Sequence, residues 1–382
     1  MAKLKVAIIH PLFVLRGGAE KVVEVFAEMY PEADIFGLIV DPNQLYPITQ
    51  SRGVRPSLLS GFPFAKKIYR QLMGLYPWAV ESIDLREYDL IISSVGQVMM
   101  GAVIREDAIH ICYVHSPERT WWDLYTQTQH RLPGPLRHPF VMGASKVRTW
   151  EFCAIQRVDH VVTNSGYIAD RTYKYFRRDS TVIYPPVAMS SAPAAPAGGD
   201  YYLSVGRLAK LKKLDVLIAA CNKLGRRFVI AGTGREEKYL KSLAGPTIEF
   251  RGYVSDAELP GIYGNCKGFL FAANEDFGIA PVEAQSYGRP VIAYGHGGSL
   301  ETVRVNDPEG RPDTGVFFPH QNVESVIDAI QRFEKIEGQF NPEVIQAHAR
   351  RFDTETFMTT FRRFVDEAIE MGPNLRKLGR SS

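Results

Sequence analysis

The stretch AMSSAPAAPAGGD, residues 188–200, decides how this sequence of 382 residues is organised. It is rich in Ala, Pro, Gly and Ser and lacks the apolar periodicity of helices and strands, which predicts a linker. A chain of this length suits two hydrophobic cores. We therefore predict two domains, residues 1–187 and 201–352, and a C-terminal helix within residues 353–382 that packs back on the first domain.

Short, continuous apolar runs recur on both sides of this linker, and segments with helical spacing separate them. Continuous runs are typical of strands buried on both faces of a parallel sheet. The predicted fold class is therefore α/β, with two Rossmann-like, doubly wound parallel-sheet domains that face a central cleft. Ligands of such sheets bind beyond the carboxyl ends of the strands. The clearest runs are KVAIIH (5–10), LIISSV (90–95), IHICYVH (109–115), YYLSVGR (201–207) and GFLFAA (268–273).

The composition argues against several classes of protein. A hydrophobic content of 45% is ordinary for a soluble protein, and a net charge of +3 is too small to indicate a nucleic-acid partner. The four cysteines show no C-x-x-C spacing, so neither a zinc site nor a disulfide framework is indicated. No apolar run reaches the roughly 18 residues of a membrane span. We expect a cytoplasmic protein whose N-terminal apolar run is a first strand.

The nonapeptide EDFGIAPVE carries two acids at its ends, Glu275 and Glu283, directly after the predicted strand GFLFAA. Pro281 suits the first turn of a following helix, whose N-terminal amides at Phe277, Gly278 and Ile279 are suited to a phosphate. Glu283 is placed to accept hydrogen bonds from a ribose and Glu275 to reach a sugar. The structural alternative is a helix start with acids that the macrodipole favours.

A basic cluster follows the first strand of the second domain. Arg207 comes directly after YYLSV, and Lys212 lies five residues later, with Lys210 and Lys213 as competitors for its role. Two fixed cations at the end of a strand can neutralise a diphosphate without a metal. The chain has no D-x-D pair to hold a bridging metal ion. The alternative for the cluster is a solvated helix start.

Glycine turns follow two other strands. Gly17 and Gly18 let the backbone approach a ligand at the start of a helix. Gly232 and Gly234 partly match a dinucleotide fingerprint, but the third glycine is replaced by Glu237, so we expect only a tight turn that lines a nucleotide cleft.

Two segments of the first domain mix aromatic and charged residues. VHSPERTWWDLY (114–125) places His115 just past a strand, where its polar and aromatic neighbours favour a functional role over a structural one. Residues 56–80 combine apolar side chains with Lys66, Lys67 and Arg70, and at helical spacing Phe64, Ile68 and Leu72 share one face. This segment predicts either contact with an anionic membrane or an ordinary packing helix.

Taken together, these motifs resemble the family 4 retaining glycosyltransferases, which have the GT-B fold. The residues of these motifs are most similar to those of bacterial mannosyltransferases of exopolysaccharide or O-antigen assembly. Gln285 and Tyr287 stand where the family commonly has small residues. The resemblance covers nearly the whole chain and depends on GGAE (17–20), HSPERTWWD (115–123), TNS (163–165), Arg207 with Lys212, GTG (232–234), EDFGIAPVE (275–283) and GHGGSLETV (295–303).

The resemblance implies transfer of a hexose, most simply mannose from GDP-mannose, to a polyprenyl-diphosphate-linked or free saccharide acceptor. It implies no cofactor and no metal, and peripheral binding at the inner face of the cytoplasmic membrane. The implied catalytic residues are Arg207, Lys212, Glu275 and His115. The implied donor-binding residues are Gly17, Gly18, Gly232, Gly234, Tyr253, Val254, Phe277, Gly278, Ile279 and Glu283. The implied acceptor-side residues are Arg119, Trp121, Trp122, Asp123 and Asn164, and the membrane-facing residues are Lys66, Lys67 and Arg70.

Two other functions remain open from the sequence. A nucleotide-sugar epimerase could use the same pair of Rossmann-like domains and would convert UDP-GlcNAc without an acceptor. A non-catalytic subunit that binds a nucleotide-sugar or a glycan is the other alternative, and only turnover would separate it from an enzyme.

Overall fold

The computed structural model describes residues 4–96, 98–194, 199–306, 310 and 313–373. The chain divides into two compact units, the first formed by Met1–Pro186 with Phe357–Ser382 and the second by Val187–Thr356. Residues 195–198 of the predicted linker, and residues 374–382 beyond the last helix, lie outside the described residues. The described part of the linker hydrogen-bonds to the second unit, for example from the Ser190 amide to Ser286 Oγ at 3.2 Å.

The first unit contains a sheet of seven parallel strands in the order β3-β2-β1-β4-β5-β6-β7. The direction of strand order reverses between β1 and β4, which creates a crevice at their carboxyl ends. The strands are β1 (Val6–Phe13), β2 (Asp34–Val40), β3 (Arg55–Pro56), β4 (Leu90–Val95), β5 (Ile109–Val114), β6 (His160–Thr163) and β7 (Thr181–Val182).

Helices cover both faces of this sheet because β4 and β5 are buried throughout and must be shielded from water on each side. Helix α1 supplies Val22, Val23 and Phe26 to one of the two cores. The helices up to the end of β7 are α1 (Gly18–Met29), α2 (Pro47–Arg52), α3 (Ala65–Ile68), α4 (Tyr76–Glu81), α5 (Tyr125–Arg131), α6 (Gly134–Ile155) and α7 (Gly166–Phe176).

Residues 56–80 do not form the single helix that would place Phe64, Ile68 and Leu72 on one face. That expectation is wrong because Gly61, Pro63, Gly74 and Pro77 interrupt the segment, which folds as short helical pieces that include α3 and α4. Phe64 has a left-handed backbone with φ of 58° and an exposed ring, whereas Leu72 is buried.

The second unit contains six parallel strands in the order β10-β9-β8-β11-β12-β13. Its order reverses between β8 and β11, so the expected ligand crevice lies at the carboxyl ends of these two strands. The strands are β8 (Tyr202–Val205), β9 (Phe228–Ala231), β10 (Ile248–Gly252), β11 (Gly268–Phe271), β12 (Val291–Tyr294) and β13 (Gly315–Phe318). The helices are α8 (Leu214–Leu224), α9 (Glu237–Leu243), α10 (Leu259–Asn265), α11 (Ile279–Ser286), α12 (Ser299–Thr302), α13 (Val323–Ile336) and α14 (Pro342–Ala349).

The last helix, α15 (Thr354–Met371), belongs to the first unit from Phe357 onward. Its apolar stripe is buried in the core that also contains α1, and the ring of Phe361 lies 4.6 Å from that of Phe26. Burial of one such aromatic side chain stabilises a fold by about 1.5–3 kcal/mol. The C-terminal segment therefore contributes directly to the stability of the first unit.

Candidate functional site

The second unit brings four of the predicted site residues to the point where its strand order reverses. Arg207 and Lys212 follow β8, and Glu275 and Gly278 follow β11. Arg207, Lys212 and Phe271 line one open cavity at the ends of these strands. This is the position at which doubly wound sheets bind ligands, so the topology and the sequence motifs indicate the same place.

Lys212, which lines the cavity, forms an ammonium–carboxylate pair with Glu275. Lys212 Nζ contacts Glu275 Oε1, and both side chains are about three-quarters buried. Burial, and then the positive charge of Arg207, lower the pKa of Lys212 to about 8. The Glu275 carboxylate favours the charged ammonium and acts in the opposite direction. Arg207 is exposed and makes no ion pair with any residue that the structure describes, so its guanidinium is available to a ligand.

Helix α11 begins beside this pair. Gly278 is its N-cap, with φ of 92°, and no side chain caps the first turn. The first amides of a helix without a capping side chain need other acceptors, and an anion is well suited to supply them. Phe277, the residue before the N-cap Gly278, is buried. Its ring and the ring of Phe352 meet edge to face with a centroid distance of 5.4 Å, and this contact fixes Phe277 in place.

The two acids of the nonapeptide have separate partners. Glu275 contacts Lys212, whereas Glu283 Oε2 accepts a hydrogen bond of 2.8 Å from the hydroxyl of Tyr263. Burial raises the pKa of Glu283, the Tyr263 hydrogen bond opposes that shift, and the charge of Asp256 adds to it. Glu283 as a whole residue is partly exposed.

The two residues that depart from the family pattern have structural roles. Gln285 is fully buried, and its Nε2 donates to the carbonyl oxygens of Pro281 at 3.1 Å and Thr302 at 2.9 Å. Tyr287 stacks on Tyr263 with a centroid distance of 5.4 Å and an interplanar angle of 6°. Both residues therefore hold α11 and its contacts in place.

The predicted glycine turn at Gly232 and Gly234 packs against backbone. A Cβ at Gly232 would lie 1.9 Å from the Gly206 carbonyl oxygen, and one at Gly234 would lie 2.1 Å from that of Leu208. No side chain fits at either position, so the two glycines bring this turn against the loop that carries Arg207. Tyr253 and Val254 follow β10, and the Tyr253 side chain is 79% exposed.

The GHGGSLETV segment supports the Glu275 loop. The amide of Gly298 donates to the Glu275 carbonyl oxygen at 2.9 Å, and His296 Nδ1 lies 3.1 Å from Asn274 Oδ1. The loop after β12 thus fixes the backbone from which Glu275 projects.

In the first unit, Gly17 is the N-cap of α1 and Gly18 its first residue, directly after β1. His115 follows β5, and its amide donates to the Val95 carbonyl oxygen at 2.7 Å. Asn164 is buried and donates from Nδ2 to the His115 carbonyl oxygen at 2.9 Å. Burial, and then the charge of His10, lower the pKa of His115 to about 3, so its imidazole is neutral near pH 7.

The predicted acceptor-side residues are held by other side chains of the first unit. Arg119 donates to Asp123 at 3.0 Å, and Arg171 donates to the same carboxylate at 2.8 Å. The structure brings these polar residues together next to two tryptophans. Trp122 donates from Nε1 to Glu151 at 2.9 Å and stacks on Tyr175, and Trp121 stacks on Phe140.

The predicted membrane-facing cations lie on or beside α3. Lys66 pairs with Asp41 at 3.0 Å, whereas Lys67 is exposed and Arg70 lies over the ring of Tyr69. No helix among the described residues is both long and apolar enough to cross a membrane. Within the same residues, no group of three or more His, Cys, Asp or Glu side chains could hold a metal ion.

Several residues that shape these sites were not identified from the sequence. Tyr263 was missed because it lies on α10, far from Glu283 in the chain. Ser94 and His10, which contact each other at 3.0 Å, were also missed. A signal for both was present, since each is a polar residue within a predicted strand that is mostly apolar.

Comparison with known sequences and folds agrees with this geometry. Residues 189–351 match the sequence profile of the family described as Glycosyl transferases group 1. The whole chain is also similar to the alpha-1,3/1,6-mannosyltransferase ALG2 of Candida glabrata, with 22% identity over 94% of this chain and 93% of the relative.

Two solved structures share the fold of both units. HepE of Anabaena, crystallised with UDP, has a TM-score of 0.69 at 17% identity, and sucrose-phosphate synthase of Thermosynechococcus elongatus has 0.71 at 16%. Each match covers 96% of this chain and 100% of the other. The predicted α/β fold, with two Rossmann-like parallel-sheet domains of GT-B type, is thereby confirmed.

Proposed function

We propose that this protein is a retaining glycosyltransferase that transfers a hexose from a nucleoside-diphosphate donor. The observation that carries the proposal is the arrangement in the second unit. Two cations after β8, an acid after β11 and the uncapped start of α11 meet where the strand order reverses. The group 1 match to the same segment supports the assignment.

Each residue of this arrangement has a role in the proposal. Arg207 and Lys212 bind the donor diphosphate, together with the amides at the start of α11. Glu275, which pairs with Lys212 in the structure, exchanges this contact for the hydroxyls of the sugar as the diphosphate takes the lysine. Glu283, oriented by Tyr263, accepts from the ribose.

The proposed reaction keeps the configuration of the anomeric carbon. The bond from that carbon to the diphosphate oxygen breaks, and an acceptor hydroxyl attacks from the same face. The proton of the acceptor hydroxyl passes to the departing phosphate oxygen, so the reaction requires no general base from the protein. Arg207 and Lys212 stabilise the negative charge that develops on the diphosphate, which makes the reaction independent of a bridging metal ion.

Mannose from GDP-mannose is the proposed donor, because the relative matched over most of the chain is named a mannosyltransferase. The proposed acceptor is a saccharide, either free or linked to a polyprenyl diphosphate, in the assembly of a cell-surface polysaccharide. HepE was crystallised with UDP, so a UDP-sugar is the alternative donor. The first experiment must distinguish it from GDP-mannose.

Thermal-shift measurements with GDP-mannose, UDP-glucose, UDP-GlcNAc and NAD, each with and without EDTA, test the donor. We expect stabilisation by GDP-mannose that EDTA does not remove. A shift with NAD alone would overturn the proposal, and conversion of UDP-GlcNAc without an acceptor would indicate an epimerase.

Turnover then tests the site. Arg207→Ala and Lys212→Ala are expected to lower the rate of transfer about 10²–10³-fold, as with other lost charge stabilisers. Lys223→Ala is the matched control, because Lys223 is exposed on α8 and pairs with the surface residue Glu324 at 3.5 Å. Unchanged transfer by Lys212→Ala would exclude its proposed role.

We also propose that residues 58–78 of the first unit dock the protein on an anionic lipid surface. No Asp or Glu occurs between residues 42 and 80, whereas Lys67 and Arg70 project from this segment, so its charge is complementary to such a surface. Phe64 is 73% exposed, and its backbone has a positive φ. This backbone conformation costs energy, and no burial of the ring offsets that cost. The large exposed apolar side chains of the segment are Leu58, Phe62, Phe64, Ile68, Leu75 and Trp78.

A further inference from the structure

One carbonyl group of α12 is held by side chains from two other helices of the second unit. The Thr302 carbonyl oxygen accepts from Nε2 of Gln285 on α11 at 2.9 Å and lies 3.2 Å from Nε2 of His348 on α14. Gln285 and Thr302 are fully buried, and His348 is 3% exposed. A carbonyl oxygen only accepts, so His348 carries a proton on Nε2. Gln285 and His348 therefore tie α12 to α11 and α14.

Contacts of α12 lead from Thr302 to the loop that carries Glu275. The Thr302 hydroxyl donates to the Gly298 carbonyl oxygen at 3.1 Å, and the Gly298 amide donates to the Glu275 carbonyl oxygen at 2.9 Å. A Cβ at Gly298 would lie 2.3 Å from Phe277 Cα, so the two backbones touch with no side chain between them. Because α12 is a single turn of four residues, it cannot hold this position alone. The position of the Glu275 backbone thus depends on the bonds to Thr302.

His348 reaches the same loop by a second route. Its ring meets the Phe352 ring edge to face at 5.8 Å, and Phe352 meets Phe277 in the same manner at 5.4 Å. Burial, and then the charges of Arg304 and Arg351, lower the pKa of His348 to about 4, and its hydrogen bond to the carbonyl of α12 opposes this shift. His348 is therefore neutral near pH 7, and its contacts persist at alkaline pH.

We propose that Gln285 and His348 are positioning residues that set the Glu275 carboxylate against Lys212. The loop of Glu275 is held by α12 on one side and through Phe277 on the other, and the carboxylate contacts the Lys212 ammonium. Displacement of this loop lengthens the ion pair and moves the acid that we assign to the sugar. The inference rests on the proposed glycosyl transfer for the role of Glu275, whereas the coupling between Gln285 and the ion pair does not depend on it.

Carbon-13 NMR of the lysine side chains of the full chain tests this coupling without any ligand, with the Lys212 signal assigned by Lys212→Arg. Gln285→Met removes the side-chain hydrogen bonds and keeps the length of the side chain. Glu275 then stabilises the ammonium less, so the pKa of Lys212 should fall by about one pH unit relative to the wild type. An unchanged titration of Lys212 would overturn the proposal.

Gln346→Met is the matched control. Gln346 on α14 is 8% exposed, and its Nε2 also donates to two carbonyl oxygens, those of Ala192 at 2.9 Å and Ser286 at 2.8 Å. Neither carbonyl belongs to α12. The variant loses a similar pair of bonds and should leave the Lys212 titration unchanged. An equal fall of the Lys212 pKa in Gln346→Met would show a general loosening of the second unit and exclude the positioning role.

Two variants of Thr302 test the next link and decide the proposal even if Gln285→Met fails to fold. Thr302→Val removes the hydroxyl and keeps the shape of the side chain, so it should lower the pKa of Lys212 as Gln285→Met does. Thr302→Ser keeps the hydroxyl and should restore the wild-type titration despite the lost methyl group. If the serine variant shifted the titration as much as the valine variant, packing and not hydrogen bonding would hold the loop, and the proposal would be wrong.

Kinetics separate the positioning of Glu275 from binding of the diphosphate. A misplaced group at the reacting centre lowers the rate, so we expect Gln285→Met to reduce the turnover number for mannosyl transfer about 10–100-fold. The Kd for GDP, measured at about pH 6 where Lys212 is charged in both proteins, should stay within about twofold of the wild type. Loss of GDP binding equal to the loss of turnover would exclude the positioning role. If the wild type transfers no sugar, the proposed function is wrong, while the Lys212 titration still decides whether Gln285 positions Glu275.

Discussion

The hydroxyl of Tyr263 donates a hydrogen bond of 2.8 Å to Glu283 Oε2. Tyr263 is almost completely buried, and Tyr287 stacks on its ring, so the hydroxyl cannot turn away. The bond therefore fixes the orientation of the Glu283 carboxylate. The Tyr263 hydroxyl on α10 thus orients the Glu283 carboxylate on α11, to which we assign binding of the ribose.

Tyr263→Phe is expected to weaken donor binding. A hydrogen bond to a charged group contributes about 1.5–3 kcal/mol, and only part of this should appear in binding, so we expect a KM for the donor about tenfold higher. The turnover number should change little, because Glu283 does not contact the reacting carbon in the proposal. Steady-state kinetics with varied donor concentration measures both quantities.

Tyr202→Phe is the control for this prediction. Tyr202 is also fully buried in the second unit and donates to the carboxylate of Glu334 at 3.0 Å, away from the cavity at β8 and β11. Both variants remove a buried tyrosine–glutamate hydrogen bond. If Tyr202→Phe raised the donor KM as much as Tyr263→Phe, the effect would be one of stability and not of ribose recognition.

Donor binding should depend on pH through Lys212. Burial and the charge of Arg207 lower the pKa of this residue to about 8. The ammonium form is present below that pKa and is lost as the pH rises through it, so affinity for GDP should fall above about pH 8. Lys212→Arg keeps its charge throughout this range and should show a flatter profile from pH 7 to 9.5. Isothermal titration calorimetry gives both profiles, and parallel slopes would contradict the assignment.

Most of the fold was predictable because buried parallel strands have a clear sequence signal. LIISSV and GFLFAA are continuous apolar runs, and both form strands in the structure. Strand β2 was not predicted because Gly37 interrupts its apolar run. A Cβ at Gly37 would lie 2.8 Å from the Phe13 ring, so tertiary packing selects a residue that strand propensity disfavours.

The candidate site was predictable only where its residues follow strands. Arg207, Lys212 and Glu275 are recognisable because motif and strand end coincide in the sequence. The hydrogen bonds that join Glu283 to Tyr263 and His115 to Ser94 connect segments that are distant in the sequence, and local patterns contain no information about such pairs. The roles of these residues therefore became visible only in the folded chain.

Membrane binding should depend on the cations of residues 58–78. Each lysine or arginine near an anionic surface contributes about 1 kcal/mol, so the double variant Lys67→Ala, Arg70→Ala should bind vesicles containing phosphatidylglycerol about 10–30-fold more weakly. The double variant Lys146→Ala, Lys174→Ala removes the same charge from exposed sites on α6 and α7. Vesicle sedimentation measures binding, and equal losses in both would indicate only a general charge effect.

Stability at alkaline pH should depend on Glu151. This residue of α6 is 1% exposed and accepts a hydrogen bond from Trp122. Burial raises its pKa from 4.5 to about 8, the Trp122 hydrogen bond opposes this shift, and Glu118 adds to it. The folded chain thus retains a proton that the unfolded chain releases. The corresponding stability is complete below about pH 4.5 and is lost as the pH rises through about 8.

Glu151→Gln removes this dependence because the amide cannot ionise and still offers an oxygen to Trp122. We expect similar melting temperatures for variant and wild type at pH 5, and a variant that melts several degrees higher at pH 9. Glu81→Gln is the control, since Glu81 accepts from Trp150 Nε1 at 3.2 Å but is exposed. A gain at pH 9 that Glu81→Gln shares, or no gain in Glu151→Gln, would show that Glu151 is not the group whose ionisation destabilises the first unit.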